Sequence, residues 1–157
     1  SDVMLRNIDV QLKLVMPEKQ GKNMTEHHGS CLCGKVSFEI KGDFEHFYLC
    51  HCSHCRKDTG SAHASNLFSQ SAKLIWLSGE ENIRTYTLPG TRHTKSFCQH
   101  CGSALPHTQM NGHLLVVPAG CLDSSLAIQA EAHIFMNSKA EWDQTSDSLP
   151  QFEQGPS

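Results

Sequence analysis

Residues 50–55 read Cys-His-Cys-Ser-His-Cys, and two shorter phrases flank them at a distance, Cys31-Leu32-Cys33 and Cys98-Gln99-His100-Cys101. These three clusters hold seven of the chain's eight cysteines. An even number invites four disulfides, but the spacing argues otherwise. A bridge stabilises more when it closes a long loop, which favours cysteines spread along a chain. Chelation favours the reverse, because one short turn can aim two or three thiolates at a single point. The N-terminal residues carry scattered charges (Asp2, Arg6, Asp9, Lys13) and no apolar run of the roughly 7–15 residues that a signal peptide needs. The expected setting is a reducing compartment, the cytoplasm, where bunched cysteines bind metal or do chemistry.

Soft thiolates select zinc, iron–sulfur clusters or cuprous ions. No C-x2-C-x2-C run is present, so zinc is the expected metal. A structural zinc takes four ligands, and a catalytic one takes three and keeps a position open. The seven clustered cysteines divide accordingly. Cys31, Cys33, Cys98 and Cys101 form a closed structural site that ties the start of the domain to its middle. Cys50, Cys52 and Cys55 form an open one. The bland alternative is a set of reduced thiols that bind nothing. Cys121 stands alone beside Leu122 and reads as a small buried hydrophobe.

The rest of the chain predicts strands. Lys35–Lys41 alternates Val36, Phe38 and Ile40 between Gly34 and Gly42. Further strands are expected over Phe44–Cys50, 74–77, 83–88, 91–97 and, after the hairpin pair Asn111-Gly112, over His113–Pro118. Helix is expected only near Arg56–Ser61 and Lys139–Trp142. The chain therefore reads as mainly β. Residues 1–27 form an N-terminal extension, either an added leader or a segment with one strand at 8–16 that could join two copies by edge pairing. The domain proper spans 28–155. With 157 residues and a net charge of −3, one globular domain is expected. No nucleic-acid partner and no membrane partner are expected, since no apolar run approaches ~18–20 residues.

Three stretches together resemble one family. They are Gly29-Ser30-Cys31-Leu32-Cys33-Gly34-Lys35-Val36, then Cys50–Lys57 with Gly60-Ser61-Ala62, then Phe97-Cys98-Gln99-His100-Cys101-Gly102-Ser103. Their order and gaps are similar to the glutathione-dependent formaldehyde-activating enzymes, a family that includes the centromere protein V type domains. The closing phrases Ala132-His133-Ile134-Phe135 and Leu149-Pro150-Gln151-Phe152 resemble that family's C-terminal end. The resemblance implies a zinc-stapled β-tent of small antiparallel sheets and the same division of cysteines, four structural and three catalytic. It also implies a carbon–sulfur lyase type of reaction that makes or breaks S-hydroxymethylglutathione, the adduct of glutathione and formaldehyde. The chain departs from the family at His63, which stands where an aromatic often follows the Gly-Ser-Ala phrase.

Three thiolates leave a zinc dication with one net negative charge. Such a centre is a weak Lewis acid toward hard oxygen and suits another soft sulfur, which agrees with a thiol substrate. The thiolate is the nucleophile toward an aldehyde, so a base must take the thiol proton. His51, His54 and His63 lie closest in sequence to the cluster, and His63 reads as a fourth ligand or a proton acceptor. Arg56 and Lys57 follow Cys55 and are candidate partners for glutathione's carboxylates. Two other functions compete: a non-catalytic zinc-stapled protein-binding module, and a redox sensor whose 50–55 cluster oxidises and releases its metal.

Overall fold

Alternation is clearest at the first predicted strand, and there the fold follows it closely. The structure, a computed structural model, describes residues 25–144 and 148–156. In chain order the elements are β1 (Glu26–Ser30), β2 (Ser37–Lys41), β3 (His46–Cys50), α1 (Ser53–Thr59), β4 (Ala64–Ser69) and β5 (Lys73–Ser78). There follow β6 (Ile83–Thr87), β7 (Thr94–Cys98), β8 (Ala104–Leu105), β9 (His107–Gln109), β10 (Leu114–Pro118) and β11 (Ala132–Ile134). They build three small sheets, ordered β1-β2-β5, β11-β3-β4-β10-β9 and β6-β7-β8. All pairings are antiparallel except β11 on β3. The protein is mainly β, as the sequence implied.

The sheets meet over a core of Val36, Phe38, Ile40, Leu67, Leu105 and Val117, all fully buried. Each such side chain contributes about 1.5–3 kcal/mol relative to exposure. Phe38 and Ile40 face inward from β2 while Ser37, Glu39 and Lys41 stay at the surface, the period of two that a strand imposes. No helix among the described residues is long and apolar enough to cross a membrane.

β1 begins at Glu26 and pairs along β2 from Glu26↔Lys41 to Ser30↔Ser37. Two expectations need adjustment. The helix near Arg56–Ser61 starts earlier, at Ser53, because Cys52 caps it: its sulfur accepts the Cys55 N–H at 3.4 Å. Gly60, at φ 63°, ends it by returning its N–H to the Arg56 carbonyl at 2.9 Å. The helix expected over Lys139–Trp142 does not form. Lys139 is extended (φ −54°, ψ 140°) after a 3-10 turn at Met136–Ser138, and the Asp143 N–H donates to the Ala140 carbonyl at 3.1 Å. Four residues cannot offset the cost of helix nucleation, and burial of Ala140 holds the turn in place. The strand expected at 8–16, with its proposed contact between copies, lies outside the described residues.

Candidate metal centres and the adjoining cavity

Two tight turns face each other at the first cluster. Between β1 and β2 the chain turns through Cys31-Leu32-Cys33-Gly34, with the Gly34 N–H on the Cys31 carbonyl at 3.0 Å and the Cys31 N–H on the Val36 carbonyl at 3.0 Å. After β7 it turns through Cys98-Gln99-His100-Cys101-Gly102, with the Gly102 N–H on the Cys98 carbonyl at 2.8 Å. Gly34 (φ 79°) and Gly102 (φ 73°) take left-handed conformations that let both turns reverse. Ser103 locks one turn to the other, its hydroxyl accepting the Leu32 N–H at 2.8 Å.

The four sulfurs lie within 4.8 Å of one another. Cys31 Sγ is 3.6 Å from Cys33 Sγ, and Cys33 Sγ is 3.9 Å from Cys98 Sγ. A disulfide would need about 2.0 Å, and all eight cysteines are free. Four sulfurs held tetrahedrally about 2.3 Å from a zinc ion would lie about 3.8 Å apart. The donor set therefore fits zinc. The crowded sulfurs also perturb one another. Although the Lys35 backbone N–H favours the Cys33 thiolate, desolvation and the neighbouring sulfurs push that thiol up to about 11. Ser103, through its hydroxyl and its backbone, pulls Cys101 down to about 5.

The second cluster is built by β3, α1 and β4. Cys50 ends β3 opposite Ala64 of β4 and beside Ile134 of β11. Cys52 caps α1, and Cys55 follows one turn on. Their three sulfurs also lie within 4.8 Å of one another, packed against Ala64 and Ile134. Burial drives the Cys55 thiol well above its ordinary value, a cost that a bound cation would reverse. Cys121 is pushed up to about 12 by burial and by Asp123, which leaves it an inert thiol.

The three-cysteine group opens on a cavity of about 610 Å³, within the ~300–1,000 Å³ of small-molecule sites. Cys50, Cys52 and Cys55 line it, and none of the four cysteines of the other group does. Arg92, Lys95, His93 and Asp58 line the same space. His107 also lines it, and burial holds its imidazole down to about 4.

The sequence candidates distribute unevenly around this cavity. Arg56 and Lys57 sit on α1 but line none of it. Arg56 Nε is buried without a hydrogen-bond partner. His54 lines the cavity. His51 is buried and His63 is partly so, and their ring centroids lie 5.0 Å apart. His51 Nε2 is 2.8 Å from His133 Nδ1. Its Nδ1 stands 3.4 Å from Asp143 Oδ2 without hydrogen-bond geometry. Burial, with His63 and His133 close by, holds the His51 imidazole below its ordinary value. His63 is not part of the metal-competent group, and its Nδ1 is 3.3 Å from the Ser65 hydroxyl.

The site defines a class: a mainly β protein with a four-cysteine group and a three-cysteine group that could each hold a metal ion, the second opening on a cavity. The chain belongs to the glutathione-dependent formaldehyde-activating enzyme family, whose sequence profile matches residues 26–138. A solved crystal structure similar to it, that of a Rhodobacter sphaeroides protein, is 22% identical and covers 68% of this chain and 98% of that one, with a TM-score of 0.48. No curated protein matches the sequence.

Proposed function

We infer that the protein forms or cleaves a thiol–aldehyde adduct, such as S-hydroxymethylglutathione, at the three-cysteine site. The observation that carries this reading is the opening of Cys50, Cys52 and Cys55 on the cavity. A substrate sulfur needs space beside the metal, and this cavity supplies it. Zinc bound to these three thiolates would hold a substrate thiol at its fourth position and favour its ionised form.

The chain's own residues supply the rest. Arg92 and Lys95 line the cavity and are the cations best placed for glutathione's carboxylates, in preference to Arg56 and Lys57. Phe68, Val116 and Ile134 give the same space apolar walls that exclude water from the reacting thiol. A reducing cytoplasm would keep seven thiolates available for metal. Membership of the glutathione-dependent formaldehyde-activating family supports this chemistry.

Elemental analysis and calorimetry test the reading together. Protein purified without added zinc is expected to hold two equivalents per chain and to bind glutathione saturably. Two equivalents of zinc with no binding of glutathione or any other small thiol would overturn it in favour of the protein-binding module.

A further inference from the structure

The wall of the cavity holds a hydrogen-bonded pair that no motif announces. Asp58 lies on α1 three residues after Cys55, and Cys55 lies three after Cys52, so all three recur along one face of the helix. The face that carries two metal-competent thiolates therefore also carries a carboxylate one turn further on. His93, just before β7, meets it: Nε2 is 2.6 Å from Asp58 Oδ2. Lys95 fixes the approach, its Nζ donating to the Asp58 backbone carbonyl. The other end of β7 is Cys98 of the four-cysteine group, so the staple anchors the strand that delivers His93.

We propose that Asp58 and His93 form the proton-handling pair of this site, with His93 the proton carrier and Asp58 its positioning residue. The inference rests on the thiol–aldehyde reading above. The carboxylate accepts the Nε2–H and thereby fixes the tautomer, leaving Nδ1 as a lone-pair acceptor. No protein group among the described residues hydrogen-bonds Nδ1, and both residues line the cavity. Side-chain exposures of 21% and 24% show a pair that is neither sealed in the core nor free in solvent. Arg92, Lys95, His107 and the three cysteines line the same cavity, and His54 sets its ring centroid 5.4 Å from that of His93.

The chemistry balances with one imidazole. Nδ1 takes the proton from the substrate S–H. The sulfur lone pair forms the C–S bond to the aldehyde carbon, and the C=O π pair moves to oxygen. The imidazolium then returns the same proton to that oxygen, giving the hemithioacetal. Cleavage runs the steps in reverse. No oxidant or other reactant is needed, and the Asp58 carboxylate balances the transient imidazolium charge.

The test uses the full-length, zinc-loaded protein and glutathione, with 2-mercaptoethanol as a second thiol. Calorimetry in buffers of different ionisation enthalpy counts the protons released as a thiol binds. Wild type is expected to release close to none, because His93 keeps the proton, and His93→Gln close to one. Glutamine can still hydrogen-bond Asp58, so the fold is kept. The rate of adduct formation should fall on the order of 10²-fold. In His93→Ala, added imidazole should restore part of it. Equal proton release by wild type and His93→Gln, or a loss that shows only as weaker binding and resists imidazole, overturns the pair's role alone. If wild type binds neither thiol, the functional reading falls and the pair's role with it.

Discussion

Cys33 Sγ and Cys98 Sγ lie 3.9 Å apart although 65 residues separate them in the chain. That contact closes the loop that runs from β2 through β7, and a shared cation would hold the two sulfurs together. Metal binding at such a site is folding energy, about 10–16 kcal/mol in small zinc domains, comparable to or above the ~5–15 kcal/mol of a whole domain. Cys98→Ser should therefore leave the protein unfolded at ambient temperature. Cys52→Ser should leave it folded with one zinc lost, because its site joins β3 to the helix that directly follows it rather than bridging two sheets. Circular dichroism with metal analysis checks both. Equal loss of melting temperature in the two variants would reverse the assignment of staple and open site.

His107 makes stability depend on pH. Burial holds its folded-state pKa down to about 4, below the ordinary 6.5, with Asp58 opposing and His93 reinforcing the shift. A depressed histidine is neutral in the fold, so its contribution is intact above about pH 6.5 and is lost as pH falls from there toward 4. The slope is at most about 1.4 kcal/mol per pH unit for one group. Thiolate sites also weaken in acid, so the measurement is a difference. Urea midpoints of wild type and His107→Gln should converge as pH falls from 7 to 5. Parallel curves would show that folding does not shift the His107 titration.

Gly79 is a place where two backbones touch. At φ 75° it turns the chain after β5, and a Cβ there would lie 1.9 Å from the Lys35 carbonyl oxygen. Gly90 has nearly the same φ, 77°, but open space around it. Gly90→Ala should cost only the conformational penalty, about 1–2 kcal/mol. Gly79→Ala should cost at least about 2 kcal/mol more, since backbone must move. Denaturant titration of the two variants separates conformation from contact.

What could be read in advance depended on whether a local pattern carried the signal. β2 announced itself through Phe38 and Ile40, and β10 through the turn at Asn111-Gly112, where both residues take positive φ. β4, the middle of the five-stranded sheet, did not. Its sequence Ala-Ser-Asn-Leu-Phe-Ser has no β-branched residue, and it is a strand because β3 and β10 pair with it on both sides. β1, Glu-His-His-Gly-Ser, has no apolar side chain to alternate, yet His27 is buried against the Phe44 ring at 4.9 Å between centroids. The cysteine groups were legible because each is made of short turns. Asp58 and His93 were not, because 35 residues and the approach of β7 to α1 lie between them.

Phe135 is the residue whose conformation works against its type. It sits at φ 57°, ψ 43°, a region that costs a side-chain-bearing residue about 1–2 kcal/mol, and its ring is 59% exposed at the cavity wall. Little burial repays that cost, which points to a use for the ring at the cavity. Phe135→Gly removes the strain and returns about 0.5–1 kcal/mol of unfolded-state entropy. The variant should be as stable as wild type or more so by about 0.5–1 kcal/mol, while binding thiol ligands less tightly. Chemical denaturation and glutathione calorimetry on the same preparation check the two halves. Destabilisation beyond about 1 kcal/mol would show that the ring supports the fold instead.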